Sequence, residues 1–245
     1  MTIIGIIPAR YASTRFPGKP LVDIDGKSMI QRVYEQAKKS TRLSEVLVAT
    51  DDKRIEQHVK GFDGKVVMTS DQHQSGTDRC FEAMEAFSLK ADVVINIQGD
   101  EPFIHPGQID EIASCFQTPD VQLATLVKKI ASKEELFNVN IPKVLLNKNK
   151  EAIYFSRQTI PFIRGKKEEE WMENHTFYKH IGIYAYKASV LREITSLKPT
   201  SLENSEGLEQ LRWIENGYKI KVELTDYESV AIDVPDDLKK LRKFL

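Results

Sequence analysis

Short aliphatic runs alternate in the first half of the chain with segments whose apolar residues repeat at helical spacing. The runs cover residues 3–7, 46–49, 66–68 and 93–97. Between them, Ile30, Val33 and Ala37 share one face of a helix, and Cys80 and Met84 share one face of another. Unbroken aliphatic strands that alternate with amphipathic helices predict a Rossmann-like, three-layer α/β sandwich with a mostly parallel sheet.

The pattern changes to short strand-like runs after about residue 120, and these cover residues 123–127, 144–146, 152–155 and 177–186. Turn residues 147–150 join two of the runs, which predicts an antiparallel extension of the sheet. Residues 165–174 are almost wholly charged and are expected to form an exposed loop. A helix from Ser205 to a cap at Gly217, a strand at residues 220–224 and a C-terminal helix complete the predicted fold.

The composition is that of a globular chain without a strong charge of either sign. Of the 245 residues, 41% are hydrophobic, and the formal net charge is -1. This near-neutrality argues against nucleic acid or a membrane as a partner. The apolar run before Pro8 is too short for a signal sequence. Cys80 and Cys115 have no metal-type spacing and are expected to be buried thiols, which suits the reducing cytoplasm.

A loop rich in cations follows the first predicted strand. Residues 8–20, PARYASTRFPGKP, contain Arg10, Arg15 and Lys19 and no acidic residue. Because open α/β sheets bind ligands at the carboxyl ends of their strands, this loop is predicted to bind phosphates; a solvated charged loop is the alternative. Two glycine-dependent phosphate motifs are excluded. Leu21 stands where a P-loop requires glycine, and no apolar strand is followed by G-x-G-x-x-G.

Two aspartates follow strand-like runs and are the predicted ligands of Mg2+. Asp100 comes shortly after the run that ends at Ile97, and Asp233 ends a short apolar run near the C-terminus. Hard divalent cations prefer carboxylate and phosphate oxygens together. For Asp233, an N-cap of the last helix is an equally good interpretation. The D-x-D sequence at residues 23–25 is interpreted as a solvated turn rather than a metal site.

Several separated motifs occur in one order along the chain. They are PARYASTRFPGKP at residues 8–20, HQSGTDR at 73–79, NIQGDEP at 96–102, YFSR at 154–157, Ile160-Pro161, HIGIY at 180–184 and LEQLR at 208–212. Through these motifs the chain closely resembles the 3-deoxy-manno-octulosonate (Kdo) cytidylyltransferases, or CMP-Kdo synthetases, along its whole length. The resemblance implies one domain of the nucleotide-diphospho-sugar transferase type, residues 1–245, with a nucleotide-binding part at about 1–120 and a sugar-binding and dimerisation part at about 121–225.

This resemblance implies a Mg2+-dependent enzyme that transfers CMP from CTP to the anomeric hydroxyl of Kdo. CMP-Kdo and pyrophosphate are the implied products, and lipopolysaccharide biosynthesis in the cytoplasm is the implied setting. CTP and Kdo are the expected partners, and a homodimer built through the antiparallel part is the expected assembly. The nearest alternative is a cytidylyltransferase for another sugar acid, such as a sialic acid. A non-catalytic nucleotide sensor and a glycosyltransferase are the alternatives from other classes.

The resemblance also assigns roles to particular residues. Arg10, Arg15 and Lys19 are expected to hold the triphosphate, and Asp100 and Asp233 to bind Mg2+; Arg10, Lys19 and both aspartates form the expected catalytic set. The other expected nucleotide contacts are Pro8, Ala9, Ser75, Gly76 and Arg79. The expected contacts to the sugar acid are Gln98, Arg157, Arg164, His180, Tyr184, Glu209 and Gln210.

Arg79 has an alternative interpretation as well. Its position in the first turn of a predicted helix also suits a surface ion pair, which would leave it without a role in the site.

Overall fold

Strands and helices alternate through the structure, a computed structural model that describes residues 1–13, 15–228 and 230–243. The strands are β1 (Ile3–Ala9), β2 (Asp23–Ile24), β3 (Lys27–Ser28), β4 (Glu45–Thr50), β5 (Val66–Met68), β6 (Val93–Asn96), β7 (Leu123–Lys129), β8 (Lys143–Leu146), β9 (Ala152–Ser156), β10 (Tyr178–Lys187) and β11 (Ile220–Leu224). The α-helices are α1 (Met29–Ala37), α2 (Lys53–Gly61), α3 (Gly76–Ala86), α4 (Pro106–Ser114), α5 (Lys133–Phe137), α6 (Trp171–Asn174), α7 (Ala188–Ile194), α8 (Ser201–Glu206) and α9 (Gln210–Glu215). Short 3-10 helices cover Lys19–Leu21, Cys115–Gln117, Glu168–Glu170 and Pro235–Lys243.

The chain forms two compact units. The first contains Met1–Ser114, Ile183–Thr195 and Tyr227–Leu245, and the second contains Cys115–Gly182 and Ser196–Asp226. The division near residue 120 that the sequence predicts lies close to the first of these transitions. The hydrophobic pattern does not predict that residues 183–195 and 227–245 belong to the first unit again.

The first unit is built on a parallel sheet. β6, β1, β4 and β5 lie side by side in this order and pair in parallel, and residues 184–187 of β10 pair antiparallel with β6. The predicted mostly parallel sheet is confirmed. Since parallel strands end at the same edge, the segments after Ala9, Thr50, Met68 and Asn96 all leave the sheet there.

Local signals explain how α1 and the preceding hairpin form. The Ser28 hydroxyl oxygen accepts a hydrogen bond from Gln31 N at 3.2 Å, which caps α1. In the β2–β3 hairpin, Asp25 and Gly26 have φ values of 50° and 79°, and Gly26 N donates to Asp23 Oδ1 at 3.2 Å. Both aspartates of this D-x-D sequence are exposed. The predicted solvated turn is therefore confirmed.

The second unit contains the antiparallel strands that the sequence predicts. β8 pairs antiparallel with β9, and Lys143 of β8 pairs with Lys179 at the beginning of β10. The strand β11 departs from this pattern because it lies parallel to β7. Strand direction depends on which neighbour a strand meets, and the local sequence does not encode that choice.

A buried tryptophan anchors the charged segment that was predicted to be an exposed loop. Trp171 is 5% exposed and clusters with Ile130, Leu136 and Phe177. The prediction is wrong at this position, where two short helical turns replace the loop. Burial of one large indole side chain is enough to fix a segment whose other side chains are charged and hydrated.

The helix predicted between Ser205 and Gly217 is instead the pair α8 and α9. Gly207 has a φ of 62° and its N–H donates to Glu203 O at 2.7 Å, which ends α8. A residue in the left-handed region cannot continue a right-handed helix, so α9 starts anew three residues later. The predicted cap at Gly217, where φ is 83°, is confirmed.

Both cysteines are buried free thiols, as predicted. Burial raises the pKa of the Cys115 thiol to about 11, so this thiol stays protonated at neutral pH. Among the described ranges of the chain, no helix combines the length and the apolar character needed to cross a bilayer.

Candidate active site

The basic loop after β1 is folded around Tyr11. The amide groups of Ser13 and Gly18 both donate to the Tyr11 carbonyl oxygen, each at 3.0 Å. Gly18 has a φ of 72°, and a Cβ atom there would lie 3.1 Å from the Tyr11 ring. Only glycine fits this turn without strain. The turn leads directly into the 3-10 helix that begins at Lys19; Thr14 lies outside the described residues.

Lys19 joins the segments that carry the two predicted metal ligands. Its Nζ atom lies 2.8 Å from Asp100 Oδ2 and 3.8 Å from Asp233 Oδ1. The same ammonium donates to Ile232 O at 2.8 Å. Ile232 N in turn donates to Asp100 O at 2.9 Å, so the two segments are also tied through their backbones. Three residues that are far apart in the sequence thus lie within one cluster of charge.

The Asp233 carboxylate faces the basic loop and does not cap the last helix. Arg15 Nη2 lies 3.2 Å from Asp233 Oδ1. The last helix begins at Pro235, so Val234 holds the N-cap position, and Asp237 Oδ2 reaches back from the first turn to accept hydrogen bonds from Asp233 N at 2.9 Å and Val234 N at 3.0 Å. The alternative interpretation of Asp233 as an N-cap is therefore wrong, because the helix begins two residues later and the Asp233 carboxylate pairs with Arg15 and Lys19 instead.

The beginning of α3 lies against the end of β1. Ser75 and Asp78 form a capping box: Asp78 N donates to Ser75 Oγ at 3.1 Å, and Ser75 N donates to Asp78 Oδ2 at 3.3 Å. A Cβ atom at Gly76 would lie 3.2 Å from Pro8 Cγ. Glycine at this position lets the helix N-terminus approach the strand end, where oriented amides favour an anion.

Arg79 is buried in an ion pair within the first unit. Its side chain is 2% exposed, with Nη2 2.9 Å from Asp51 Oδ2 and Nη1 2.6 Å from Thr69 Oγ1. The alternative of a surface ion pair is wrong, since the pair is almost fully enclosed. Asp51 and Thr69 follow β4 and β5, so Arg79 ties the ends of two strands together. A nucleotide contact by Arg79 stays a prediction.

One cavity of about 260 Å3 in the first unit is lined by every predicted nucleotide contact. The predicted residues that line it are Pro8, Ala9, Arg10, Arg15, Lys19, Ser75, Gly76, Arg79, Gln98, Asp100 and Asp233. The lining thus includes four cationic side chains and two carboxylates. This surplus of positive charge suits a polyanionic ligand.

Four lining residues, Ser13, Pro20, His73 and Gly99, have no role in the sequence-based prediction, and two of them, His73 and Gly99, make close contacts. His73 Nε2 contacts Glu82 Oε2, which also accepts a hydrogen bond from Ser70 N at 2.9 Å. Gly99 approaches β1 closely, because a Cβ atom there would lie 2.8 Å from Pro8 O. Both residues belong to the motifs that carry the family resemblance, and this membership is the signal that could have identified them.

The donor atoms fit a divalent cation that is shared with a ligand. Among the described residues, no three or more His, Cys, Asp or Glu side chains form a group that could hold a metal. Asp100 and Asp233 instead provide two carboxylates that already share one cation, the Lys19 ammonium. Mg2+ is commonly bound by one or two carboxylates together with substrate phosphates, and this donor set meets that requirement.

The two arginines predicted to bind the sugar acid have different surroundings in the second unit. Arg157 Nε donates to Glu206 O at 2.6 Å, and its Nη1 donates to Val139 O at 3.2 Å. Part of its guanidinium therefore holds the backbone around α8. Arg164 is exposed and makes no ion pair with any residue in the described parts of the chain.

His180 lies in the second unit against Phe155 and Thr125. Its Nε2 atom is 3.1 Å from Thr125 Oγ1, and its ring meets the Phe155 ring edge to face at 5.3 Å between centroids. Burial lowers the pKa of His180 to about 3, so the imidazole is neutral at physiological pH. Because Thr125 Oγ1 donates to Ile181 O at 3.3 Å, the hydroxyl accepts from His180, which selects the Nε2–H tautomer.

The other predicted sugar contacts are distributed over both units. In the second unit, Glu209 is half-buried, and Gln210 is 4% exposed with no partner for its Nε2 atom among the described residues. In the first unit, Tyr184 is buried in β10, and Gln98 lines the cavity. The contacts of these residues with a sugar acid stay predictions.

A parallel sheet that ends in a cavity with cations and paired carboxylates defines an α/β protein that binds nucleotides at its strand ends. Residues 4–220 match the family model described as Cytidylyltransferase. The chain therefore belongs to the cytidylyltransferase family.

Individual relatives agree with this assignment. The chain is 63% identical to the 3-deoxy-manno-octulosonate cytidylyltransferase of Parabacteroides distasonis, covering 100% of this chain and 98% of the relative. It is 58% identical to the protein of the same name from Bacteroides thetaiotaomicron, with the same coverage of both chains. The resemblance found in the sequence is confirmed.

Solved structures share the fold. The structure of CMP:2-keto-3-deoxy-manno-octonic acid synthetase complexed with CTP has a TM-score of 0.91 and 41% identity, covering 100% of this chain and 98% of the other. The 4-diphosphocytidyl-2C-methyl-D-erythritol synthase of Anaerococcus prevotii has a TM-score of 0.62 at 11% identity over 99% and 97% of the two chains. The second likeness shows the fold alone.

Substitution of Gly99 by alanine is expected to weaken binding of CTP by about fivefold or more, because overpacking against Pro8 O would cost about 1–3 kcal/mol. The new Cβ atom would displace Pro8 O and with it the start of the basic loop. Calorimetric titration with CTP measures the effect. Gly61→Ala is the matched control, since no atom lies within 4 Å of a Cβ atom there. Equal CTP affinity in both variants would contradict the prediction.

Proposed function

We propose that this chain transfers CMP from CTP to the anomeric hydroxyl of Kdo, giving CMP-Kdo and pyrophosphate. The observation that carries the proposal is the cluster of Lys19, Asp100 and Asp233 in a cavity whose lining is cationic. The names of the relatives support the identity of both substrates, and the solved neighbour was complexed with CTP.

In the proposed reaction, the anomeric oxygen of Kdo bonds to the α-phosphorus of CTP. The bond between the α-phosphorus and the oxygen that bridges to the β-phosphate breaks, pyrophosphate leaves, and the hydroxyl proton passes to solvent. Arg10, Arg15 and Lys19 would bind the phosphates and offset the charge that develops on pyrophosphate. Such preorganised contacts act on the transition state without any covalent intermediate with the protein.

Asp100 and Asp233 would hold Mg2+ in this proposal. Both carboxylates approach one cation in the structure, at 2.8 and 3.8 Å from Lys19 Nζ, which supports a shared ion that substrate phosphates would complete. When bound, Mg2+ would supply Lewis-acid neutralisation of the phosphates and would make the sugar hydroxyl easier to deprotonate.

The remaining predicted residues are proposed to recognise the sugar acid. Arg157 and Arg164 suit the carboxylate, because a guanidinium can donate two parallel hydrogen bonds. His180, as a neutral imidazole, suits a hydroxyl group. Glu209 and the buried Gln210 amide suit further hydroxyls, and the same role is proposed for Gln98 and Tyr184.

The cellular setting and the alternative substrate belong to the proposal as well. An activated Kdo would be used in lipopolysaccharide biosynthesis, and the cytoplasm is the compartment in which two free thiols persist. A cytidylyltransferase for a sialic acid is the alternative, since the same phosphate chemistry would serve another acid sugar.

Pyrophosphate release tests the proposed reaction directly. With CTP, Mg2+ and Kdo, the protein is expected to release pyrophosphate and to form CMP-Kdo, whereas N-acetylneuraminate in place of Kdo should give background release. Turnover with the sialic acid and none with Kdo would select the alternative substrate. Binding of CTP without pyrophosphate release from either acid would indicate a nucleotide sensor.

Asp100→Asn is expected to lower turnover by about 100-fold or more with little change in the free energy of unfolding. The side chain is at a strand end and 25% exposed, so the loss concerns charge rather than the core. Steady-state pyrophosphate release measures turnover, and circular dichroism verifies the fold. Asp23→Asn removes an exposed carboxylate of the β2–β3 hairpin and should keep the wild-type rate. An Asp100 variant as active as the Asp23 variant would remove the metal assignment.

We also propose that the chain forms a homodimer through the second unit. Phe162 is 72% exposed and Phe137 is 40% exposed, and both rings contact Trp171, with centroids 5.4 and 6.0 Å apart. Val139, 51% exposed, follows Phe137 closely in the chain. Exposed aromatic groups of this kind are typical of protein interfaces, and a second copy of the chain is the proposed occupant.

Phe162→Glu is therefore expected to convert a dimer into a monomer, because a carboxylate would be buried without a partner at the interface. Sedimentation equilibrium measures the mass. Leu89→Glu changes a side chain in the first unit that is 38% exposed and should leave the dimer intact. A wild-type protein that sediments as a monomer, or a Phe162 variant that stays dimeric, would contradict the proposal.

A further inference from the structure

Lys19 occupies the place where the two carboxylates would share a metal ion. Its Nζ atom contacts Asp100 Oδ2 and Ile232 O, both at 2.8 Å, and lies 3.8 Å from Asp233 Oδ1. The Lys19 side chain is only 16% exposed, and its ammonium has three acceptor atoms within 4 Å. The acids are thus neutralised by a cation that the protein itself provides.

Two roles proposed above for this cluster compete for the same charged groups in the observed arrangement. Lys19 is proposed to bind phosphates, yet here it is bound to the aspartates. Asp100 and Asp233 are proposed to bind a divalent cation, yet the Lys19 ammonium already lies within 4 Å of an oxygen atom of each. A divalent ion added at these oxygens would stand next to a positive charge in a partly buried site, where like charges repel far more than in water.

We propose that Lys19 is the counter-ion of Asp100 and Asp233 in the nucleotide-free protein, and that a nucleoside triphosphate must draw it away before a divalent cation binds to them. This inference rests on the proposed function and adds a sequence of events to it. The triphosphate enters first, its phosphates take over Lys19, and the released carboxylates then accept the metal.

The exposure of the neighbouring cations supports this sequence. Arg15 is paired with Asp233, but its side chain is 67% exposed, and Arg10 is exposed as well. An incoming polyanion can therefore meet both arginines before it reaches the less exposed Lys19. The lysine stem has four flexible carbons, so its ammonium can pass from carboxylate to phosphate while the backbone stays in place.

The exchange would couple two binding events through one side chain. In the nucleotide-free protein, a divalent ion must compete with an ammonium that is tethered to the site. Once phosphates hold that ammonium, the same two carboxylates have unbalanced negative charge and attract the metal. The metal would thus bind well only where its phosphate ligands are already present.

Binding of Mn2+ alone, without nucleotide, tests this proposal by calorimetric titration of the full chain. Lys19→Met keeps most of the aliphatic stem and removes the charge, and it should bind Mn2+ at least about tenfold more tightly than the wild type. Lys19→Arg keeps the charge and should bind Mn2+ as weakly as the wild type. Lys19→Gln, a second neutral variant, gives a result if the methionine variant does not fold.

Two control variants test whether the gain in Mn2+ affinity is specific to this cluster. Lys27→Met removes the exposed Lys27–Glu35 ion pair, with 2.6 Å between Nζ and Oε2, and should leave Mn2+ affinity unchanged. Asp100→Asn in the Lys19→Met background should remove the gained affinity, because the proposed ligand is lost.

Unchanged Mn2+ affinity in both neutral variants would overturn the inference. An equal gain in Mn2+ affinity in the Lys27→Met variant would also overturn it. Turnover of CTP and Kdo by the wild type separates this failure from that of the proposed function. If the wild type turns over and the neutral variants bind Mn2+ no better, only the counter-ion role is wrong; if Mn2+ binding tightens but the wild type does not turn over, only the proposed reaction is wrong.

Discussion

One ammonium group connects the three chain segments on which the site depends. Lys19 Nζ reaches a carboxylate after β6 and a backbone carbonyl next to Asp233. Without this cation, two carboxylates would face a common space with no opposite charge between them, apart from the exposed Arg15. The basic loop is held by the same contacts, because Lys19 is its last cation. Charge balance within the cluster therefore also positions the loop and the two acids relative to one another.

The parallel sheet explains why these segments can meet. β1 and β6 are neighbours and run in the same direction, so the loops that follow them begin side by side. Gly99 allows its loop to approach Pro8 O more closely than any side chain would permit, and Gly76 allows a tight contact with the Pro8 ring. The fold thus brings the loops to one edge of the sheet, and glycine at two positions lets them pack closely against Pro8. Because the loops lie close together, short polar side chains and backbone amides can reach a common ligand.

The sequence predicts best what depends on local pattern. Continuous aliphatic runs identified the strands of the parallel sheet, and the motifs identified residues that line one cavity. Features decided by tertiary packing or by backbone conformation were missed or wrong: the start of the last helix at Pro235, the anchoring of Trp171 and the break at Gly207. In each case the outcome depends on a tertiary contact or on a backbone conformation, and composition reveals neither. The aspartate after β6 could be identified from its strand, whereas the alternative role of Asp233 was settled only by geometry.

The charge states in the second unit constrain how a sugar acid could be recognised. His180 has its pKa lowered to about 3 by burial, so it cannot offer a positive charge to a carboxylate at physiological pH. Three N–H groups of Arg157 already donate hydrogen bonds to the carbonyl oxygens of Glu206, Val139 and Gly207. It keeps its charge and two further donors, since a guanidinium has five. A carboxylate would therefore be met by arginine rather than by His180, so titration of His180 would add no pH dependence to recognition between about 5 and 8.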